Sequence, residues 1–119
     1  MIFIVDDDAA TRDSLRQLLE VEGFEACEFV GGRQFLDGVR ATDADCLILD
    51  LNMPGMNGFD VLAELRRRGA GLQVIVVTAH ADPATRSRAV AGGALAVLEK
   101  PHRTSELLAL VRRALAIGL

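Results

Sequence analysis

The sequence predicts an α/β fold, a doubly wound parallel sheet of five strands with helices on both faces, and three observations support it. Short aliphatic runs alternate five times with longer amphipathic runs. The central aliphatic runs carry no charged residue, which is typical of strands buried between two layers of helices. The chain has 119 residues, 50% of them hydrophobic, so we expect a single domain over residues 1–119.

The five predicted strands differ in how completely they are apolar. IFIV, CLIL and QVIVV have no charged residue, which indicates central positions in the sheet. EACEFV carries two glutamates and suits an edge strand, and LAVL is short and aliphatic. The predicted strands cover residues 2–5, 25–30, 46–49, 73–77 and 95–98.

The five predicted helices are recognised by apolar residues that recur every three or four positions and by their end signals. One helix starts at Asp82-Pro83, a cap followed by proline in the first turn, and ends at Gly92-Gly93. Gly69 is expected to end the helix before it, and Asp8 to cap the first helix. The other predicted helices cover residues 10–22, residues 32–40 with Val39 on the apolar side, residues 59–68, and a final run from Thr104 or Ser105 through Leu115.

Composition argues against several classes of protein. The net charge of −4 is unlike that of a nucleic-acid binder, and no apolar run approaches the length of a membrane span. Cys27 and Cys46 fit neither zinc spacing nor a disulfide framework, so we expect two buried, reduced thiols. Residues 6–8 interrupt the first apolar run, which excludes a signal peptide. We therefore expect a soluble, cytoplasmic domain without direct contact to membrane or nucleic acid.

Polar and charged residues follow the predicted strands, at the sheet edge where parallel α/β folds bind ligands. We expect them to form one patch with at least three carboxylates, a hydroxyl and an ammonium group. Crowded, partly buried carboxylates repel one another, so such a patch is expected to hold a cation. The residues concerned are Asp6, Asp7, Asp8, Asp50, Thr78, Ala79, His80, Glu99, Lys100 and Pro101.

The chemistry predicted for this patch is phosphoryl transfer to a carboxylate. Carboxylate oxygens, waters and a phosphate make a typical site for Mg²⁺ or Mn²⁺. A carboxylate beside the metal can attack phosphorus and form an acyl phosphate. The metal, Lys100 and Thr78 would then balance the charge of the phosphoryl oxygens, with Asp50 held as nucleophile at the end of its strand.

Each of these residues has a plainer interpretation when it is taken alone. Asp6 and Asp7 fit a loop, Asp50 fits a turn cap, and a lone lysine such as Lys100 is usually a solvated surface residue. His80 fits a loop better than a metal site, because no second histidine lies near it in the sequence. The combination of strand-end residues favours the functional interpretation.

Four motifs resemble the receiver domain of two-component response regulators over essentially the whole chain. They are IVDDD, ILDLNMPGMNG, VVTAHAD and LEKP, in this order and at this spacing. The resemblance implies strand order 2-1-3-4-5 and identifies Asp50 as the phosphoacceptor, with Asp6 and Asp7 as the acidic pair. It also implies that Asp6, Asp7, Asp50 and the backbone carbonyl of Asn52 form the metal site.

The same resemblance implies roles for residues of the last two strand ends. Thr78 matches the switch hydroxyl, and Lys100 matches the lysine that pairs with the phosphate. Pro101 matches a proline that follows through a cis bond, and Ala79 and His80 lie where the family tunes the reaction. One position departs from the pattern: Val97 stands where the family usually has Tyr or Phe. Phosphorylation would then be read out by backbone shifts around residues 79–100, or the coupling would be weak.

The function implied is a phosphorylation-dependent signalling switch, and two alternatives stay open. A sensor histidine kinase would phosphorylate Asp50, and the domain would catalyse only its own phosphorylation and dephosphorylation. A Mg²⁺-dependent phosphohydrolase with an Asp nucleophile usually needs a second Asp two residues on, where this chain has Asn52. A phosphorylation-independent interaction module is favoured only by Val97.

The resemblance also implies partners beyond the kinase. The motifs TAHAD and LEKP resemble the corresponding segments in receiver domains of nitrogen-regulation and nitrogen-fixation transcriptional regulators. The chain would therefore be a free-standing receiver or the N-terminal part of a regulator with a C-terminal output domain. A homodimer through the surface from the fourth to the fifth helix is also expected in this family.

Overall fold

The computed structural model describes residues 1–39 and 45–117, which form strands and helices in strict alternation. Their bounds lie within a few residues of those predicted, and Asp50 and Thr78 are the last residues of their strands. The elements are β1 (Ile2–Val5), α1 (Ala9–Val21), β2 (Ala26–Phe29), α2 (Gly32–Gly38), β3 (Cys46–Asp50), α3 (Gly58–Arg67), β4 (Gln73–Thr78), α4 (Pro83–Ala91), β5 (Ala96–Glu99) and α5 (Thr104–Ile117).

The strands form one parallel sheet in the order β2-β1-β3-β4-β5, which confirms the predicted fold and strand order. The chain changes direction across the sheet between β1 and β3, because β2 lies on one side of β1 and β3 on the other. In sheets of this kind the crevice for a ligand lies outside the carboxyl ends of the strands at this point. The register pairs Val5 with Leu49, so the residues after them, Asp6 and Asp50, are neighbours at that edge.

The two faces of the sheet carry two separate hydrophobic clusters. Side chains alternate along each strand, so β1 contributes Ile2 and Ile4 to one cluster and Phe3 and Val5 to the other. The first cluster includes buried residues of α1 and α5, and the second includes buried residues of α2, α3 and α4. Helices therefore cover both faces, as predicted.

Helix ends follow the predicted capping signals. The Asp8 carboxylate accepts hydrogen bonds from the N–H groups of Ala10 and Thr11 at the start of α1. The Asp82 carboxylate accepts one from the Thr85 N–H, with Pro83 in the first turn of α4. Gly69, at φ +66°, follows α3 in the left-handed conformation that glycine adopts at least cost.

Within residues 1–39 and 45–117, the helices lack the length and hydropathy that a bilayer crossing requires.

Three predictions on the edge strand and the helix after it are wrong. Cys27 is half-buried, not buried, because β2 is an edge strand whose four residues all keep some exposure. That strand is also shorter than predicted. Helix α2 ends at Gly38, and Val39 is extended and packs against the core, while predicted helix residue 40 lies outside the described residues. The prediction for Cys46 is confirmed, and burial raises the pKa of its thiol to about 12.

Candidate functional site

Three carboxylates meet at the carboxyl ends of β1 and β3. Asp6 is 3% exposed, Asp50 is 6% exposed and Asp7 is exposed, and one oxygen of each lies within 4.8 Å of the others. They meet because β1 and β3 are adjacent parallel strands, so that residues 44 positions apart leave the sheet at the same edge. The cluster is the group of carboxylates that the sequence predicted to converge.

Lys100 directly follows the edge strand β5 and brings a positive charge into this cluster. Its Nζ lies 3.1 Å from Asp6 Oδ2 and 3.8 Å from Asp50 Oδ2. The Lys100–Pro101 peptide bond is cis, and the Lys100 backbone N–H donates a hydrogen bond of 2.8 Å to the Thr78 carbonyl oxygen. The ammonium group is thus shared between two buried carboxylates, which offsets part of their repulsion.

The pKa of Asp50 is raised to about 6, and the first cause is burial. The neighbouring charges of Asp6 and Asp7 act in the same direction. The backbone N–H of Asn52, 3.1 Å from Asp50 Oδ1, and the charge of Lys100 both lower it. The Asn52 N–H and the Lys100 charge therefore favour the ionised carboxylate, which is the form that acts as a nucleophile.

The loop after β1 is held from two directions. The Asp8 N–H donates to Asp6 Oδ1 at 2.9 Å, and Arg12 Nη1 donates to the Asp6 carbonyl oxygen at 2.7 Å. Arg12 also lies 3.4 Å from a Glu28 carboxylate oxygen of β2. Sequence reasoning missed Arg12; its place one turn into the helix after the acidic run was the available signal.

Thr78 is joined to the cluster through Asn52. Its side chain is 1% exposed, and its hydroxyl oxygen accepts hydrogen bonds of 3.2 Å from both Asn52 Nδ2 and the His80 N–H. The Asn52 backbone N–H in turn donates to Asp50. Hydrogen bonds of Asn52 therefore connect the Thr78 hydroxyl to the Asp50 carboxylate.

The remaining predicted residues lie around the site in different environments. Ala79 and His80 are exposed at the end of β4, and Pro101 is exposed beside Lys100. Val97 is half-buried and packs against the core cluster on the side of α3 and α4. The contacts described for Asn52 involve its N–H and its side-chain amide, so the metal-ligand role of its carbonyl stays a prediction.

The donor set of the acidic cluster fits a hard divalent cation. Three carboxylates supply oxygen ligands, one of them on an exposed residue, which leaves room for waters and a phosphate. In the described part of the chain, this is the only group of three or more acidic, histidine or cysteine side chains close enough to hold a metal. Mg²⁺ and Mn²⁺ both suit oxygen ligands of this kind.

Comparison with known proteins supports a single family. A model of the response regulator receiver domain matches residues 2–112. The transcriptional regulatory protein FixJ of Azorhizobium caulinodans is 39% identical over 114 residues, which cover 96% of this chain and 54% of that protein. The chain spans about half the length of this and similar curated relatives.

Solved structures give the same result. The response regulator StyR has a TM-score of 0.91 at 36% identity, covering 98% of this chain and 59% of that chain. A receiver domain protein from Methanospirillum hungatei has a TM-score of 0.88 at 28% identity, covering 98% of this chain and 94% of that chain. The similarity extends over nearly every element of the fold.

Proposed function

The chain belongs to the family of response regulator receiver domains, and on that premise we propose that it is a phosphorylation-dependent signalling switch with Asp50 as phosphoacceptor. The observation that carries the proposal is the position of Asp50. It ends a buried strand, lies with Asp6 and Asp7 in one acidic cluster, and faces the Lys100 ammonium group at 3.8 Å. Burial raises the pKa of its carboxyl group to about 6.

The proposed reaction uses the phosphohistidine of a sensor kinase. An Asp50 carboxylate oxygen forms a bond to phosphorus while the phosphorus–nitrogen bond breaks, and the electron pair of that bond returns to the imidazole. Mg²⁺ or Mn²⁺, held by Asp6, Asp7, Asp50 and the Asn52 carbonyl, would supply positive charge to the phosphoryl oxygens. Hydrolysis by water returns the Asp50 carboxylate and releases phosphate.

Two side chains are suited to stabilise the phosphorylated state. Lys100 is kept beside Asp50 by its ion pair with Asp6 and would pair with a phosphoryl oxygen. The hydroxyl of Thr78 accepts hydrogen bonds from Asn52 and His80, so its own proton is available for donation to the phosphoryl group. The domain would thus catalyse its own phosphorylation and dephosphorylation without being a turnover enzyme.

The alternatives receive less support. A phosphohydrolase needs a general acid near the nucleophile, but Asn52 cannot supply a proton in that role, and its amide is engaged with Thr78. A passive interaction module would not need two further carboxylates and a lysine gathered around the buried Asp50. Only Val97, in place of the family's aromatic residue, favours that module.

We further propose that residues 1–119 are one receiver domain of a longer, cytoplasmic regulator. The relatives it matches include transcriptional regulatory proteins, and about half of their length lies outside the matched region. The similarity to these relatives predicts two partners, an output domain that regulates transcription and a sensor histidine kinase. The chain would also form a homodimer through the surface of α4, β5 and α5.

The test is labelling by a small phosphodonor. Acetyl phosphate with Mg²⁺ should add the mass of one phosphoryl group to the intact chain, because one carboxylate, that of Asp50, is proposed as the nucleophile. Asp50→Asn should gain nothing, and Lys100→Ala should be labelled roughly 100-fold more slowly, as for loss of one charge-stabilising group.

The control is Asp37→Asn, which alters an exposed carboxylate on α2 outside the acidic cluster and should be labelled like wild type. Equal labelling of Asp50→Asn and wild type would contradict the proposal. Sustained hydrolysis of a phosphomonoester would favour the phosphohydrolase. Equal partner binding by wild type and Asp50→Asn under phosphorylating conditions would favour the passive module.

A further inference from the structure

Two charged side chains tie the loop after β4, residues 79–82, to strand β5. Ala81, in the middle of this loop, is 8% exposed, and both of its backbone polar groups have side-chain partners. Its N–H donates to Glu99 Oε2 at 3.1 Å, and its carbonyl oxygen accepts from Arg86 Nε at 2.9 Å. The loop is therefore held by one residue of β5 and one residue of α4.

Arg86 also reaches β5 directly. Its Nη1 donates a hydrogen bond of 3.1 Å to the Val97 carbonyl oxygen. A guanidinium group presents several donors in a fixed plane, so one side chain can hold two carbonyl groups at a set separation. Because the two carbonyls belong to the loop and to β5, Arg86 links these two segments through one side chain.

Thr78 ends β4 and directly precedes the loop, and under the proposed function its hydroxyl would bind a phosphoryl group on Asp50. The Thr78 hydroxyl now accepts from Asn52 and His80, and a phosphoryl oxygen would offer it a stronger, charged acceptor. Thr78 pairs with Glu99 across the two strands, and its carbonyl accepts from the Lys100 N–H at 2.8 Å. A shift of Thr78 therefore acts on the loop and on the end of β5 together.

We propose that Arg86 and Glu99 form a polar clamp that transmits the state of Asp50 from the loop at residues 79–82 to β5. The proposal rests on the function proposed above. Val97 contributes its backbone carbonyl to this clamp, while its side chain packs in the core. Arg86 and Glu99 are positioning residues, because they act on Thr78 through the backbone and not on the phosphoryl group.

The experiment measures amide hydrogen exchange by mass spectrometry, with and without acetyl phosphate and Mg²⁺, alongside intact mass. In the unphosphorylated chain, Arg86→Ala should raise exchange in residues 79–82 by about fivefold, the factor that corresponds to about 1 kcal/mol. In the wild type, phosphorylation should change exchange in residues 96–99. In Arg86→Ala, this change should be lost, although the chain still gains one phosphoryl group.

Conservative variants separate positioning from a general loss of structure. Glu99→Gln keeps an oxygen acceptor for the Ala81 N–H and should behave like wild type, whereas Glu99→Ala should behave like Arg86→Ala. Arg86→Lys, with a single ammonium group, should restore part of the response. The matched control is Arg88→Ala on the same helix, because Arg88 lies over the Phe59 ring at 3.9 Å and is outside the clamp.

The possible failures are distinguishable. A wild-type chain that gains no phosphoryl group overturns the proposed function, and with it the signalling role of the clamp. If Arg86→Ala gains a phosphoryl group and residues 96–99 still show the wild-type change in amide exchange, the clamp is overturned and the proposed function is not. Equal effects of Arg86→Ala and Arg88→Ala also overturn it, because Arg88 touches neither the loop nor β5 in the contacts described.

Discussion

Asp50 shows how a single residue is made reactive by its surroundings. Burial destabilises the charged form of its carboxylate and raises its pKa to about 6, while Asn52 and Lys100 limit the rise. An oxygen that is neither fully solvated nor fully paired is well placed to bond to phosphorus. The same burial has a consequence for stability, because an ionised group with a raised pKa weakens the folded state.

The stability of the metal-free chain should depend on pH through Asp50. Its folded pKa lies above the ordinary value, so its stabilising contribution is complete below about pH 4 and is lost as pH rises through about 6. A shift of about two units corresponds to a loss of at most about 3 kcal/mol. Asp50→Asn has no carboxyl group to ionise at this position and cannot lose the contribution. The difference in free energy of unfolding, variant minus wild type, should therefore increase as pH rises from about 4 through about 6.

Urea unfolding in EDTA at several pH values measures this difference. Asp37→Asn is the control, because Asp37 is an exposed carboxylate on α2 outside the acidic cluster. A difference between Asp50→Asn and wild type that does not vary with pH would contradict the raised pKa.

At the scale of elements, the start of α3 is fitted closely to the end of β3. Asn57 and Asp60 form a reciprocal capping box, and the Gly58 N–H donates to the Leu51 carbonyl oxygen at 3.1 Å. A Cβ at position 58 would lie 2.8 Å from the Asp50 carbonyl oxygen and 2.8 Å from Leu51 Cα. The absence of a side chain at Gly58 allows the helix to lie against the residue that carries the nucleophile.

Gly58→Ala should therefore disturb both stability and the site. The backbone atoms that it would meet cannot move as a flexible side chain can, so we expect a loss of about 1–3 kcal/mol in the free energy of unfolding. Because Asp50 is among the displaced residues, labelling by acetyl phosphate should also slow. Chemical denaturation and intact mass measure the two effects.

Gly38→Ala is the matched control, since its Cβ would have only an ordinary contact of 3.6 Å with Phe29. Alanine is the better helix former, so that variant should be as stable as wild type or more stable. Wild-type stability and labelling in Gly58→Ala would show that α3 moves freely relative to β3.

For the whole molecule, the parallel sheet gathers charges that are far apart in sequence. Asp6, Asp50 and Lys100 lie at the carboxyl ends of three different strands. The fold places one oxygen of each aspartate within 4 Å of Lys100 Nζ. The mutual repulsion of the carboxylates is unfavourable without a metal ion and is offset when a divalent cation binds between them. The folded state should consequently be stabilised by Mg²⁺, because the unfolded chain does not hold these carboxylates together.

Millimolar Mg²⁺ should raise the melting temperature of the wild type. Binding at a hundredfold excess over Kd is equivalent to about 2.7 kcal/mol, and each kcal/mol shifts Tm by about 4 °C in a chain of this size. Asp7→Asn removes the exposed ligand and should abolish most of the response, while Asp37→Asn should keep it. Differential scanning calorimetry in EDTA and in Mg²⁺ measures the shifts, and equal responses of wild type and Asp7→Asn would exclude the metal site as drawn.

The sequence by itself determined the elements and the composition of the site. Uncharged runs such as CLIL indicate buried strands, and their regular alternation with amphipathic runs indicates a parallel sheet. Once the strands are parallel, the residues that follow them must share one edge, so Asp6, Asp50 and Lys100 could be grouped before any coordinates. This inference needed only the order and direction of the strands.

Only the tertiary structure decided which of these groups touch and how each is exposed. The pairing of Lys100 with Asp6 at 3.1 Å, the support of the loop after β1 by Arg12, and the hydrogen bond from Arg86 to the Val97 carbonyl oxygen depend on distances between different elements. The half-burial of Cys27 depends on β2 lying at the edge of the sheet. Local sequence sets periodicity and end signals, whereas side-chain contacts, burial and pKa depend on the relative positions of elements that only the packed fold fixes.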